Sequence, residues 1–412
     1  MTTPIPARLL SLDLVRGTAL LGILLLNIVG FAMPEAAYFN PRAYGGWHGA
    51  DLAAWLVNFL FFDGRMRGLF SFLFGASLLI VTDAAEAAGL DPARAHYARM
   101  GWLLLFGLAH LWLVWHGDIL AHYALVGMIA YPLRRLPVAK LVSLGAVLVL
   151  ASAAIFAMLA HDARRLSLLP ASAQGEVGAL VGAFGTPPPD RIGAELAVHR
   201  GDYAGLVAQR FAEYAGSPIA MLSLYGWETL GYMLFGMAAL RSGLLAGAWP
   251  RDRLLRWWLR SWALALPAYL LLACWQIGEG FSLFAVLAAG VTLPALVRPA
   301  MILGWACLIL LLARPGGWLT TRVAAAGRMA FSNYLATSIV CVLLFDGYGL
   351  GWFGELSRWQ LYPIVGAVWV LLLAWSRPWL QRFRYGPLEW LWRSLARRSL
   401  QPIRNSLASR SQ

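Results

Sequence analysis

The sequence predicts an all-α polytopic membrane protein, a helical bundle of about ten transmembrane helices with both termini in the cytoplasm. Three observations support this prediction. Of the 412 residues, 60% are hydrophobic and only 13% are charged, whereas a soluble domain carries about 25% charged residues. Apolar runs of about 20 residues, the length that crosses a bilayer, recur along the chain. Arginines are concentrated in the short links between these runs and in the C-terminal tail.

Ten apolar runs are the predicted spans. In chain order they lie near 12–33, 51–82, 97–115, 118–134, 139–160, 219–241, 256–276, 280–313, 329–347 and 360–376. The eighth is too long for one straight helix and is interrupted by Pro294, Arg298 and Pro299, so we expect a broken helix or a re-entrant segment there.

Basic residues in the short links set the orientation of the spans. They are Arg134, Arg135, Lys140, Arg241, Arg251, Arg253, Arg256, Arg260, Arg314, Arg322 and Arg328. With ten spans, all of these links and both termini fall on one side of the membrane. Eleven spans would place the basic tail outside, which this rule disfavours. The sequence therefore predicts a multi-pass protein of the bacterial inner membrane.

One long stretch, residues 161–218, is not hydrophobic, and the predicted orientation places it in the periplasm. Its second part, 191–214, has the mixed charge and helical periodicity of an amphipathic helix at a membrane surface. The loop separates an N-terminal half of five spans, residues 1–160, from a C-terminal half of five spans, residues 219–376. A basic cytoplasmic tail follows at 377–412.

The net charge of +13 is explained by arginines in the links and tail on the predicted cytoplasmic side, and no nucleic-acid-binding motif accompanies it. We therefore expect membrane lipids as partners and no nucleic acid. The cysteines lie singly inside apolar runs, at Cys274, Cys307 and Cys341. This spacing indicates neither a metal site nor a disulfide framework, and the sequence implies no certain cofactor.

Ionisable and polar residues within spans are costly, so they mark candidate sites. In the first span, Arg16 and Asn27 are eleven residues apart and lie on one stripe, about 16 Å from each other. Arg328 and Asn333 open the ninth span. All four residues are candidates for substrate binding. The alternative is structural: Arg16 would form a charge pair with Asp13 at the helix end, and the others would form hydrogen bonds between helices.

The second span carries Asp63, Arg65 and Arg67 at its middle. The residues that recur there at every fourth position, and so would share one helix face, are Asp63, Arg67, Ser71 and Gly75. Two arginines at that depth require anionic partners, such as Asp63 and Glu228, which lies in the middle of the sixth span. The sequence permits a buried ion-pair network or a clamp for a ligand phosphate or carboxylate.

Histidines surround the turn between the third and fourth spans. His116 and Asp118 could form a base whose imidazole is oriented by the carboxylate. His48, in the first periplasmic loop, is the main competitor for the role of base, whereas we expect His110 and His122 to support or pack. The spacing is a weak metal signature, and we predict no metal. The alternative is a group of polar residues that meets water at the interface.

Four motifs together resemble the bacterial YeiB-like family over nearly the whole chain. They are Ser11–Gly17, Phe61–Gly75, His116–Leu120 and Gly327–Tyr334. The C-terminal half of that family is a domain of unknown function, so the resemblance implies a fold without an established activity.

The N-terminal half is distantly similar to transmembrane acyltransferases of the heparan glucosaminide N-acetyltransferase type. In bacterial O-acyltransferases the first helix carries an arginine followed, eleven residues later, by a catalytic histidine. Arg16 matches the arginine, but Asn27 stands at the histidine position and cannot accept a proton. The resemblance therefore implies acyl transfer with another base, and His116 with Asp118, or His48, are the candidates.

These observations lead to three hypotheses of function. The first is an acyltransferase whose acyl-CoA donor binds Arg16, Arg65 and Arg67 through its phosphates, with a glycan, lipid headgroup or small periplasmic molecule as acceptor. The second is a transporter or flippase for an anionic small molecule or lipid, with Asp63, the two arginines and Glu228 as its site. The third is a non-catalytic protein that binds lipid or quinone.

Overall fold

The computed structural model describes residues 10–167 and 178–405, and these ranges are almost entirely helical. The α-helices, numbered in chain order, are α1 (Leu10–Ala32), α2 (Gly49–Val57), α3 (Arg65–Ala87), α4 (Pro92–Leu113), α5 (Leu120–Ala130), α6 (Val138–Ser167), α7 (Gly178–Phe184), α8 (Pro189–His199), α9 (Tyr203–Tyr214), α10 (Ser217–Arg241), α11 (Arg251–Gly278), α12 (Leu283–Ala285), α13 (Leu293–Leu312), α14 (Trp318–Arg328), α15 (Ala330–Phe345), α16 (Leu361–Arg382) and α17 (Pro387–Arg397).

Six helical stretches of the described chain are long and apolar enough to cross a membrane. They are Leu10–Ala32, Gly49–Ala87, Val138–Arg165, Arg251–Gly278, Leu283–Leu312 and Arg358–Arg382. The bent pair α14 and α15 would add a seventh. This confirms the prediction of an all-α polytopic membrane bundle. The prediction of ten spans also relies on α4, α5 and α10, which are shorter or less apolar.

The second predicted span is broken at its middle. After α2 the chain forms a π-helix at Asn58–Phe62, and α3 begins only at Arg65. Gly64, at the break, has a φ of 68°, and a Cβ at this position would collide with the side chain of Arg298. The prediction that Asp63 shares a helix face with Arg67 was therefore wrong, because Asp63 precedes the helix.

The eighth predicted span is one continuous helical stretch, Leu283–Leu312, so the expected break or re-entrant segment was wrong there. It passes from the short α12 through a π-helix at Val286–Thr292 into α13, whose first turn contains Pro294.

The ninth span is preceded by α14, which meets α15 at a bend of 85°. Glycines allow α14 to approach α1 closely, since a Cβ on Gly17 would collide with the backbone of Val323.

The predicted periplasmic segment 161–218 begins within α6, and residues 168–177 lie outside the described residues. The expected helix at 191–214 is two helices, α8 and α9, and the side chain of Asp202 caps α9 by accepting a hydrogen bond from Gly205 N at 2.7 Å. His199 of α8 and Arg210 of α9 both bind Asp346, at 2.9 and 3.4 Å. These helices therefore pack on the bundle, because the buried Asp346 carboxylate holds both of them.

The predicted tail contains a helix of its own. Residues 377–382 complete α16, and the amphipathic helix α17 follows; residues 406–412 lie outside the described residues. Glu389 of α17 accepts hydrogen bonds from the backbone amides of Phe331 and Ser332, at 2.7 and 3.1 Å. A carboxylate at a helix N-terminus is favourable, so Glu389 ties α17 to the start of α15.

We predict that α9 and the chain after α17 lie on opposite sides of the membrane. The test uses Ala212→Cys and Leu400→Cys, each at an exposed position, in a chain whose exposed Cys274 is replaced by alanine. Cys307 and Cys341 are buried and can remain. In spheroplasts an impermeant maleimide should label Ala212→Cys, and should label Leu400→Cys only after lysis. Labelling of Leu400→Cys in intact spheroplasts would contradict the predicted orientation.

Candidate functional site

A buried carboxylate joins three helices at the centre of the bundle. Glu228 of α10 accepts hydrogen bonds from Arg67 of α3 at 2.6 Å, from Tyr232 at 2.7 Å, and from Arg298 of α13. Its side chain is only 3% exposed. An unpaired charge at this depth would be strongly destabilising, so the Glu228 carboxylate can be buried because the two arginines neutralise it.

Positive charge exceeds negative charge around this network. Arg65 is 1% exposed, lies over the ring of Tyr269 at 3.5 Å and donates to the backbone oxygen of Asp63. Its Nε and Nη2 atoms have no hydrogen-bond partner within the described chain. Among the described residues, Arg65, Arg67 and Arg298 thus share two carboxylates, those of Asp63 and Glu228, which leaves one positive charge. An anionic group could neutralise it.

The Arg67 end of the network borders open space. The Arg67 side chain is 23% exposed, although its partner Glu228 is almost fully buried. The backbone oxygen of Arg67 accepts hydrogen bonds from Ser71 and Tyr123, both at 3.0 Å. These bonds connect the network to α5, which carries Tyr123 and the neighbouring His122.

A second polar centre lies on α4 and the turn after it. His110 Nδ1 is 2.8 Å from Asp118 Oδ2, and both side chains are 1% exposed. The other oxygen of Asp118 accepts a hydrogen bond from Ala121 N at 2.8 Å, which fixes the carboxylate. The close contact of α4 and α5 depends on Gly107, where a Cβ would collide with Ala121 N.

The His110–Asp118 dyad has the geometry of an oriented base. A carboxylate that accepts a hydrogen bond from Nδ1–H leaves the lone pair of Nε2 available. His110 Nε2 is buried and has no hydrogen-bond partner in the described ranges. Tyr334 of α15 lies alongside, with its ring centroid 5.3 Å from that of His110. The pair can therefore take a proton from a group that enters next to Nε2.

The predicted pairing of His116 with Asp118 was wrong. His116 stacks on Tyr214 of α9, with ring centroids 4.8 Å apart, because the turn directs it toward α8 and α9. Burial, together with the charges of His199 and Arg210, lowers the pKa of His116 to about 3. A base this weak is poorly matched to neutral pH.

His110 was missed as a base because its partner lies eight residues away, across a turn. No local motif marks this spacing, whereas His116 is two residues from Asp118. The signal that could have found it is the pairing of a buried histidine with a carboxylate on the adjoining turn. His48 is exposed beside Trp47, at the start of α2, and contacts neither centre within the described chain.

The remaining predicted residues of the N-terminal half are divided between the two ends of α1. Arg16 contacts Asp13 at 3.4 Å and Ser77 at 3.0 Å. Asn27, three turns away, accepts a hydrogen bond from Tyr38 at 3.5 Å. Arg16 therefore meets α3 at Ser77, ten residues along the helix from Arg67.

Asn333 and Arg328 brace the bend between α14 and α15. Asn333 donates to Ala326 O and to Ser376 Oγ of α16, both at 3.1 Å. Arg328 donates to the backbone oxygen of Arg384 at 3.4 Å. These contacts match the structural alternative that the sequence left open.

A small cavity lies between α1 and the two π-helices. Its water-accessible volume is about 20 Å³, enough for one or two water molecules. Asp63, Asn58, Tyr38 and Gln276 contribute polar atoms to its wall. π-helical turns are frequent at functional sites, and two of them meet at this cavity. Among the described residues, no group of three His, Cys, Asp or Glu side chains is arranged to hold a metal ion.

Comparisons with known proteins identify the family. Residues 239–399 match the model of a protein family of unknown function, DUF418. The uncharacterized protein YeiB of Escherichia coli is 34% identical over 413 residues, with 96% of this chain and 98% of that protein covered. The uncharacterized protein YxaH of Bacillus subtilis is 30% identical, with 95% of each chain covered. An uncharacterized 39.9 kDa protein of Bacillus acidopullulyticus is 25% identical, with 96% of each covered. The chain therefore belongs to the YeiB-like family of bacterial multi-pass membrane proteins.

Proposed function

We propose that the protein is an acyltransferase of the bacterial inner membrane that uses His110 as its general base. The observation that carries the proposal is the buried His110–Asp118 pair, whose Nε2 is without a hydrogen-bond partner in the described part of the chain. Burying a polar side chain is costly unless it is paired, and here both members of the pair are buried. Polar residues that merely meet water at the interface would be exposed, so the burial argues against that alternative. Asp118 is the positioning residue.

The proposed reaction transfers an acyl group from a thioester to a hydroxyl. His110 Nε2 accepts the hydroxyl proton while the hydroxyl oxygen bonds to the thioester carbonyl carbon. The carbon–sulfur bond then breaks, and the sulfur leaves as a thiol with the proton that His110 returns. The products are an acyl ester and free CoA, so atoms and charge balance. The acceptor would be a glycan, a lipid headgroup or a small periplasmic molecule.

The surplus charge beside Glu228 suits the phosphates of an acyl-CoA donor. Arg67 is the member of the network that borders open space, and Arg65 has two buried N–H groups without partners among the described residues. Arg16, at the opposite end of α1 from Asn27, would meet the donor nearer the cytoplasmic surface. Asn27 would contact the acceptor or donor without taking a proton.

We expect His110→Gln to lose activity by roughly 100- to 10,000-fold, the usual contribution of a general base. Asp118→Asn should lower activity and shift its pH profile, because the imidazole loses its oriented partner. The assay follows label from [¹⁴C]acetyl-CoA into the lipids and glycans of membranes that contain the protein, together with CoA release. His96→Gln is the matched control, since His96 is a buried histidine of the same helix whose ring nitrogen bonds the carbonyl of Gly127, at 2.9 Å, and which contacts neither Asp118 nor Glu228 in the described part of the chain. Full incorporation by His110→Gln would contradict the assignment, and loss in His116→Ala alone would transfer the role to His116.

The ion network favours a second candidate function, a transporter for an anionic small molecule or lipid. A transported anion could compete with Glu228 for Arg67 and Arg298, which lie at the centre of the bundle. Uptake of labelled acetate or phosphate by proteoliposomes that is lost in Glu228→Gln, with no acyl transfer by the wild type, would favour this function over acyl transfer.

The network also makes a stability prediction. Glu228→Gln leaves its arginines without a counter-charge, and removing one partner of a buried ion pair typically costs about 3–5 kcal/mol. Arg67→Gln with Glu228→Gln should cost less than the sum of the two single changes, because Glu228→Gln alone deprives both Arg67 and Arg298 of their counter-charge, whereas in the double variant Arg67 is no longer there to be left unpaired. Unfolding of the purified protein in detergent measures the cycle, with the exposed Glu213→Gln as control. Strict additivity would contradict direct coupling of the pair.

A further inference from the structure

The cavity between α1 and the two π-helices is lined by buried hydrogen-bond donors without a partner. Gln276, near the end of α11, is 1% exposed, and its Nε2 has no hydrogen-bond partner among the described residues. The same is true of Nε of Arg358, which is 2% exposed and lies just before α16. Both residues line the cavity. Because a buried N–H group without a partner is destabilising, these donors favour a ligand in the cavity.

The wall of the cavity also supplies hydrogen-bond acceptors. Asp63 and Asn58, on either side of the first π-helix turn, both line it. The Asn58 amide nitrogen donates to the backbone oxygen of Leu25 and to the hydroxyl of Tyr362, so its carbonyl oxygen is the atom that can accept from a ligand. A ligand that satisfies both kinds of group must therefore accept and donate hydrogen bonds.

One glycine shapes the space. Gly290 of the second π-helix lines the cavity, and a Cβ added to it would lie 3.1 Å from Oε1 of Gln276. The missing side chain therefore allows the Gln276 amide to lie directly against the π-helix. The position of the unpartnered Gln276 donor is thus set by the backbone of the π-helix, and π-helical turns are frequent at functional sites.

Size and charge restrict the ligand. The water-accessible volume of about 20 Å³ admits one or two atoms of the size of oxygen. The charged Arg358 lines the cavity, and Arg65 lies within electrostatic range of Asp63, so a cation would be repelled. The Asp63 carboxylate on the same wall disfavours an anion. A neutral hydroxyl oxygen meets both conditions, because it accepts hydrogen bonds from the N–H groups and donates one to the carboxylate.

We propose that this cavity is a binding site for a neutral hydroxyl oxygen, which accepts hydrogen bonds from Gln276 and Arg358 and donates one to Asp63. Water supplies this oxygen, or the hydroxymethyl end of a small polyol does. The aromatic side chains on the remaining wall suit the carbon atoms of such a polyol; they are Tyr38, Phe39, Trp55 and Phe59. The inference does not rest on the proposed reaction, because neither His110 nor Glu228 lines the cavity.

Cryo-EM maps of the full chain, at a resolution that shows ordered water, test the proposal. In buffer without polyol, one or two peaks should lie about 2.7–3.2 Å from Gln276 Nε2 and from a carboxylate oxygen of Asp63. A second map is recorded with ethylene glycol in the buffer. Elongated density in place of the peaks identifies a polyol site, and unchanged peaks identify a water site; both results support binding of a hydroxyl oxygen.

Gln276→Met tests the contact that carries the inference. Methionine has a similar length but no N–H group, so the peak beside Gln276 should be lost. Gly290→Ala is a second variant, since its methyl group would narrow the cavity, and the peak should be lost there too. Gln381→Met, at an exposed position of α16, is the matched control and should keep the peak.

Four results would overturn the proposal. They are a cavity without density in the wild type, a peak that persists unchanged in Gln276→Met, a peak about 2.0–2.4 Å from the Asp63 oxygens, and a peak that contacts the N–H groups but not Asp63. The third result would identify a metal cation, because metal–oxygen distances are shorter than hydrogen bonds. The fourth would identify an anion.

Discussion

The structure depends on one buried carboxylate and the two arginines that neutralise it. Glu228 binds Arg67 and Arg298, and so connects α10 to α3 and to α13. The helices around it meet through glycines: a Cβ on Gly75 of α3 would collide with the backbone of α10, and a Cβ on Gly236 of α10 would collide with the backbone of α3. Because small residues permit this contact and the ion pairs fix its register, the network sets how the central helices pack.

The second polar centre depends on this arrangement. Tyr123 of α5 bonds the backbone of Arg67, and the adjacent His122 bonds Thr229, the neighbour of Glu228, at 2.9 Å. These contacts hold α5 against α3 and α10, and α5 in turn presents Ala121 N to Asp118. The His110–Asp118 pair is thus supported by the ion network through one short helix.

The sequence predicted the class of fold well, because composition and the lengths of apolar runs reflect the bilayer directly. It also located Asp63, Arg67 and Glu228, since ionisable residues at mid-span are rare enough to be conspicuous. It did not predict Arg298 as the second partner of Glu228, because that arginine was interpreted only as an interruption of a long span. Pairings across the fold, here 70 residues apart, leave no periodic signal in a single sequence.

Local geometry explains the other differences. The prediction placed Asp63 and Arg67 on one face of a continuous helix. Gly64, which has a positive φ, interrupts that helix between them. The sequence predicted His116 as the partner of Asp118, but the short turn brings His110 to Asp118 and directs His116 to α9. The acidic residue that holds α8 and α9, Asp346, follows α15, far along the chain from the loop that it anchors. Each of these is set by the backbone path, which residue spacing alone does not define.

The most direct test of the account is a cryo-EM density map of the protein with a non-hydrolysable thioether analogue of acetyl-CoA. The account predicts that the acyl carbon lies within reach of His110 Nε2 and that the phosphates contact arginines of α1 or α3. Density for the analogue at a site remote from His110, or for a small anion between Arg67 and Arg298 with no analogue bound, would contradict it.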